Sequence, residues 1–360
     1  MMAILTLIAA AAFAQRVGDT VQYAGSNYTV TAINGDDVTM RKVVAQGDGP
    51  VNWVAVPDST FGTTNIKGVA WGNNTWVAVG DAGKIAYSSD GRSWTAVPVG
   101  TGAGQTTFST GSQGNNDIQA VAFGNNMFVV VGNSGKTAYS TDNGRTWTAA
   151  STSSIFGTAG GNSPISGIAY GGGRWVSVGN GGRTAYSTDG RSWTAGDATG
   201  AFGTSGIYAV AYGNNRFIAA GSSGKMAYSS NGQSWTAVAN SGFGTTPIHA
   251  VAYANNRWVA VDNNGRIAYS TDGASWTQVP SANRGGFGVN AINGIGFGNN
   301  RWVIGGEGGR IAYSTDGATW TAVTNTGFPT TGRRDILAVA YGSGRFVAVG
   351  QNGKMAYVDW

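Results

Sequence analysis

A closed ring of seven four-stranded antiparallel β-blades, an all-β propeller, is the fold class this sequence predicts. Three observations carry the prediction. One phrase, Ile-x-Ala-Val-Ala-Tyr-Gly-Asn-Asn-Arg-Trp-Val-Ala-Val-Gly-x-x-Gly-Arg-Ile-Ala-Tyr-Ser-Thr-Asp-Gly-x-Ser-Trp-Thr, recurs with small changes from Ile66, Ile118, Ile165, Ile207, Ile248, Ile292 and Ile336. The copies start 41 to 52 residues apart, a period that belongs to propellers and not to helical solenoids. The last copy stops three residues after Tyr357, and its missing strand is written at the other end of the chain. There Val51-Asn52-Trp53-Val54-Ala55-Val56-Pro57 matches Arg92-Ser93-Trp94-Thr95-Ala96-Val97-Pro98.

The first element is an export segment. Ile4–Ala12 is a short apolar core, and Ala12-Phe13-Ala14 fits the small-x-small cleavage rule. Residues 1–14 are therefore expected to be a signal peptide, with a mature start at Gln15 and a periplasmic, cell-surface or extracellular destination. The core is too short to span a membrane, and no basic residue precedes it. Cysteine is absent, so neither a disulfide nor a cysteine lipid anchor is available. Residues 15–50 follow as a small β-meander. Asp19–Tyr23, Tyr28–Ile33 and Val38–Val43 alternate like strands around an Asn34-Gly35-Asp36-Asp37 turn. This segment either packs beside the ring or pairs with another molecule, which would give self-association.

Residues 51–360 form the propeller. In its first blade Ile66–Trp71, Trp76–Val79, Lys84–Tyr87 and Trp94–Val97 read as strands of period two. Gly72–Thr75, Gly80–Gly83 and Ser88–Ser93 read as turns, with Gly and Asn supplying positive φ angles. Those turn lengths place Trp71 opposite Trp76, Trp76 opposite Tyr87, and Tyr87 opposite Trp94. Four aromatic rings are then expected in one row on one face of every blade. Trp53 completes the row in the seventh blade, so the N-terminal strand closes the ring and removes a sheet edge. Each connector adds one phenylalanine, Phe61, Phe108, Phe156, Phe202, Phe243, Phe287 or Phe328, expected to wedge between neighbouring blades.

The third turn of the second copy, Ser140-Thr141-Asp142-Asn143-Gly144-Arg145-Thr146-Trp147, resembles the Asp-box. That box marks bacterial sialidase-type repeats and the propellers of photosystem assembly factors and sortilin-like receptors. Ser88–Trp94, Ser187–Trp193, Ser229–Trp235, Ser270–Trp276 and Ser314–Trp320 resemble a version one residue shorter, with Asn231 replacing the aspartate in one copy. The resemblance covers residues 51–360 and implies that Asp90, Asp142, Asp189, Asp272 and Asp316 are structural. An aspartate there accepts backbone N–H bonds and fixes the hairpin.

A sialidase resemblance would also imply three clustered arginines, a tyrosine–glutamate pair and an acid. Here Arg174, Arg216, Arg257, Arg301 and Arg345 sit at a repeated blade position, and the chain holds one glutamate and one histidine. A Ser-His-Asp triad or a histidine metal site lacks material. Asp262 with Glu307, in what read as equivalent turns of adjacent blades, is the one carboxylate pair suited to glycoside hydrolysis. Gly135-Lys136-Thr137 lacks the spacing and following helix of a phosphate loop. The net charge of +5 is weak, and no nucleic-acid motif is present. No metal and no cofactor is expected.

Two features remain. The residue opening the third strand is basic in every copy: Lys84, Lys136, Arg183, Lys225, Arg266, Arg310 and Lys354. Ring symmetry gathers these cations on the rim that carries the connectors, where they either attract an anionic partner or lie along their blades with the charge in water. The position after each opening isoleucine does not repeat: Lys67, Gln119, Ser166, Tyr208, His249, Asn293 and Leu337. In the first, channel-lining strand, such variation marks ligand specificity or drift at an exposed site. The resulting expectation is a non-catalytic exported binding or scaffold protein. Its protein or glycan partner sits on the connector face. The alternatives are a sialidase-like glycoside hydrolase and an assembly factor docking an acidic protein.

Overall fold

The computed structural model describes residues 51–98, 108, 116–150, 155–156, 163–329, 331–332 and 334–360, and the backbone alone of 20–23, 26–34 and 37–43. The expected export segment lies outside the described residues. The chain divides into two units, Met1–Pro50 and Val51–Trp360. In the first, Thr20–Tyr23, Ser26–Asn34 and Asp37–Val43 form one antiparallel three-stranded sheet.

The second unit is a ring of seven four-stranded antiparallel blades. Blade 1 holds Ile66–Gly72, Thr75–Gly80, Ile85–Ser88 and Thr95–Ala96. Blades 2 to 6 repeat it from Ile118, Ile165, Ile207, Ile248 and Ile292. Blade 7 joins Ile336–Gly342, Arg345–Gly350 and Met355–Asp359 to the N-terminal Val54–Ala55. Tyr357 pairs with Val54 and Ala356 with Ala55. The first strands of successive blades touch around a complete cycle, blade 7 against blade 1 included. They therefore surround the axis.

The two-residue turn Asn73-Asn74 has positive φ at both residues, 47° and 55°. It puts Trp71 opposite Trp76 as expected. The next pairing differs. Val79 faces Ile85 and Val77 faces Tyr87, because Gly80 and Lys84 join across a three-residue 3₁₀ turn, Asp81–Gly83. The expected turn had four residues. A slip of one residue flips every later side chain to the other face. Tyr87 then faces Thr95, not Trp94. The single aromatic row is thus incorrect: the tryptophans and the tyrosine of one blade lie on opposite faces.

The correction explains the core. Trp76 and Trp94 turn toward blade 7, against Val347, Val349 and Tyr357. Tyr87 turns toward blade 2, against Phe128 and Trp147. Seven such clusters, one at each blade junction, hold the ring together. Each takes one connector phenylalanine, from Phe61 at the junction of blades 7 and 1 to Phe328 at that of blades 6 and 7. An arginine lies over the tyrosine of every blade. Blades 3 to 7 supply it from the start of their own second strand, as Arg174 does over Tyr186 at 4.9 Å. Blades 1 and 2 have Thr75 and Met127 there and borrow Arg145 and Arg191 from the next blade. Stacked guanidinium–aromatic pairs add to each junction.

Candidate functional site at the connector face

The non-repeating residues lie at one structural position. In every blade the first strand shifts register after its opening isoleucine, so that Ile66 faces Gly80 while Gly68 faces Val79. The residue between, Lys67, is a β-bulge, and so are Gln119, Ser166, Tyr208, His249, Asn293 and Leu337. A bulge leaves one residue out of the ladder and re-aims its side chain. All seven are half-buried.

These side chains form a collar around the axis. The Tyr208 and His249 rings meet edge-to-face at 6.2 Å. His249 Nδ1 lies 3.0 Å from Asn293 Oδ1, and Asn293 Nδ2 donates to the Ile336 carbonyl at 2.9 Å. A carbonyl can only accept, so Asn293 must present its oxygen to the imidazole, and Nδ1 carries the proton. His249 Nε2 is left as the ring atom available to a ligand. Gln119 Nε2 donates to Asn133 at 2.8 Å. Lys67 forms ion pairs with Asp81 at 2.7 Å and Asp117 at 3.2 Å.

The cations at the third strands sit beside this collar and are tied to the connectors. Lys84, Arg183, Lys225 and Arg266 donate to the carbonyls of Phe61, Phe156, Phe202 and Phe243, at 2.7–2.9 Å. Lys136 donates to Asn116, and Arg310 to the Glu307 carbonyl. Lys354 holds the equivalent position in blade 7 and is exposed. In Lys84, Arg183, Lys225 and Arg266 one N–H thus fixes a connector, while these lysines keep two further donors and these arginines four.

Sequence reasoning missed three carboxylates of this face, Asp81, Asp117 and Asp335, and named the fourth, Glu307, only as a partner of Asp262. Asp117 Oδ1 accepts the Ala82 N–H, Asp335 Oδ1 the Gly308 N–H, and Glu307 Oε2 the Ala291 N–H. Together with Asp81 they lie on blades 6, 7, 1 and 2. Their signal was available as non-repeating polar residues just before the opening isoleucine or just after the second strand. The Asp262–Glu307 pair needs correction. Asp262 pairs with Ile248 where Gly306 pairs with Ile292, so Asp262 matches Gly306 and Glu307 matches Asn263. Asp262 is fully buried. Its Oδ1 accepts the N–H groups of Asn264 and Arg266, at 2.8 and 2.7 Å. Burial pushes its carboxyl above the ordinary range, against those bonds and the charges of Arg266 and Arg284. Among the described residues no His, Asp and Glu cluster could hold a metal ion.

The aspartate turns lie elsewhere, between the third and fourth strands. Asp272 Oδ1 accepts the N–H groups of Ala274 and Ser275, both at 2.8 Å. The Ser275 bond leads in holding its carboxyl down to about 2. Asp90, Asp142, Asp189 and Asp316 accept equivalent bonds and are also lowered. In blade 2 the extra residue is absorbed by Asn143 at φ 63°.

Residues 103–237 and 201–354 match the family described as the DUF6242 beta propeller domain. No curated protein matches the sequence. Among solved structures, YCF48 bound to D1 peptide superposes with a TM-score of 0.62 at 17% identity, covering 88% of this chain and 97% of that one. YCF48 from Cyanidioschyzon merolae gives 0.62 at 20% identity over 85% and 98%. Virginiamycin B lyase from Staphylococcus aureus gives 0.64 at 12% identity over 85% and 97%. At these identities the likeness is one of fold.

Proposed function

The chain belongs to the DUF6242 beta-propeller family, and we propose that it is a non-catalytic, exported binding protein whose connector face holds a peptide segment of a protein partner. One observation carries this reading. Seven bulged positions differ from blade to blade on a framework that otherwise repeats, and four of them, Lys67, Tyr208, His249 and Asn293, reach across blade boundaries to their neighbours. A packing position would repeat; a recognition surface differs from blade to blade. The YCF48 structure with a D1 peptide supports the reading by showing that a propeller of this shape can hold a peptide.

Charge favours an acidic segment over blades 3 to 5. Arg183 and Lys225 lie on blades without a carboxylate of the set Glu307, Asp335, Asp81 and Asp117, while Arg266 stands beside the buried Asp262, whose carboxyl is raised by burial. Long-range attraction would steer an acidic peptide there, with Tyr208, His249 and Asn293 reading its sequence.

Panning random dodecapeptides against the propeller tests this, with fluorescence polarisation of the enriched peptides. Acidic, aromatic-containing sequences should emerge, and Tyr208→Ala with Asn293→Ala should weaken them at least about tenfold, the loss of one good anchor. No enrichment, or binding indifferent to both substitutions, refutes the reading. Charge reversal at Arg183 or Arg266 is a poorer probe, because it also removes a connector bond.

A further inference from the structure

One aspartate turn departs from the rest, and it adjoins a cavity. Asn231 of blade 4 stands where blades 1, 2, 3, 5 and 6 have aspartate. Beside it lies a cleft of about 320 Å³ lined by Asn215, Arg216, Tyr228, Ser230, Asn231 and Thr236, among others.

The hydrogen bonds fix the chemistry of this cleft. Asn231 Oδ1 accepts the N–H groups of Gln233 and Ser234, at 2.9 and 3.2 Å. Backbone N–H groups can only donate, so the amide orientation is settled and Nδ2 turns away from them, with two protons to donate. Where the other turns place a second carboxylate oxygen, this one places an NH₂. Arg216 lies over Tyr228 at 5.3 Å and gives one N–H to the Asp272 carbonyl at 2.7 Å. Arg174 of blade 3 reaches the same turn, donating to the Asn231 carbonyl at 2.8 Å. One guanidinium group, that of Arg216, an amide NH₂ and the Ser230, Ser234 and Thr236 hydroxyls therefore line the cleft, with Arg174 holding the turn from the blade 3 side. No carboxylate is among the lining residues. The aspartate turn that Arg216 reaches is that of Asp272, whose Oδ1 is bonded to its own backbone.

We propose that this cleft is an oxyanion site, taking a carboxylate, sulfate or phosphate group on a molecule no larger than a monosaccharide. Guanidinium and amide donors match the acceptor oxygens of such a group, and the Asn231 side chain removes the charge that would repel it. The site is separate from the connector collar and does not depend on it.

Blade 5 supplies an internal control. Its matching residues are Asn256, Arg257, Tyr269, Ser270, Thr271, Asp272, Ser275 and Thr277, and Arg216 donates to Asp272 as Arg174 does to Asn231. Apart from Ser230 against Thr271, the two sets of residues differ by one aspartate. The test titrates the full chain with sodium sulfate, sodium phosphate and sodium D-glucuronate at constant ionic strength. It follows the Asn231 side-chain amide and Arg216 Nε by ¹⁵N NMR. At least one oxyanion should shift both resonances with millimolar affinity, and the three arms identify the chemistry preferred. Asn231→Asp restores the residue the other turns carry, so folding is preserved, and it should weaken binding at least about tenfold. Asp272→Asn should create a second site of similar affinity. No shift with any of the three oxyanions, or equal binding by parent and Asn231→Asp, overturns the proposal. So does an Asp272→Asn variant, folded as the parent, that still binds one equivalent.

Discussion

Removing one side chain from the N-terminal strand tests whether the ring is closed as described. Trp53 is 2% exposed and packs among Val303, Phe328, Phe346, Ala356 and Val358, between blades 6 and 7. Burying an aromatic side chain removes roughly 150–250 Å² from water, about 4–6 kcal/mol at ~25 cal/mol/Å². Measured truncations of this kind cost about 3–5 kcal/mol. The indole Nε1 is buried without an acceptor, so deleting it returns about 1 kcal/mol. Trp53→Ala should therefore cost about 3–4 kcal/mol. Its neighbour Val54 is 48% exposed, and Val54→Ala should stay within about 0.5 kcal/mol. Guanidinium unfolding followed by tryptophan fluorescence gives both values. Hydrogen exchange shows whether Met355–Asp359, the strand that Val54–Ala55 covers, loses protection first in Trp53→Ala. Equal stability of Trp53→Ala and parent, or unchanged protection of that strand, would refute the closure.

Gly342→Ala places a methyl carbon 2.1 Å from Trp71 Cγ and should cost about 1–3 kcal/mol by overpacking; Ala254→Gly, at the one blade that carries alanine there, should leave the melting temperature nearly unchanged. The lowered carboxyl of Asp272 stabilises the fold above the unfolded value of 3.8, and this is lost as pH falls through about 2. Asp272→Asn should accordingly flatten the parent's stability loss between those values, read by thermal melts across pH. Asp262 has the opposite sign: its raised carboxyl costs stability as pH rises from the ordinary carboxylate range through its folded value. Asp262→Asn should melt with the parent in acid and above it at neutral pH, and a gain that shrinks as pH rises would contradict the assignment.

Blade number, ring closure and the wedge role of the connector phenylalanines are legible in the sequence, because each follows from repetition and from residue type. Register is legible only where the turn is unambiguous. Asn73-Asn74 dictates a two-residue hairpin, and Trp71 meets Trp76 as expected. Gly80-Asp81-Ala82-Gly83-Lys84 fits either a four-residue or a three-residue closure. The choice depends on the 3₁₀ bond from the Lys84 N–H to the Asp81 carbonyl, which no side chain announces. That one-residue difference moves the tyrosines from their own tryptophans to those of the next blade. It converts an expected intra-blade row into the material of the blade junctions.

The candidate sites show the same division. That position 67 and its counterparts vary is visible in the sequence; that they are bulges is not, since a bulge has no residue signature here beyond the variation itself. Conversely, Lys84, Arg183, Lys225 and Arg266 each tie a connector carbonyl, so that the repeated cation serves the repeat in these blades. Repetition in this chain therefore marks construction, and departure from it marks places where construction is not the constraint. Asp262 and Asn231 are each the single exception at a position otherwise held by glycine or aspartate. In the first, the side chain substitutes for the 3₁₀ turn by accepting the Arg266 N–H, and the departure has a structural account. In the second, the turn keeps its bonds through Oδ1 and gains nothing by exchanging a charged acceptor for a neutral one. A change that weakens the turn while altering only the face shown to solvent is explained by what that face binds.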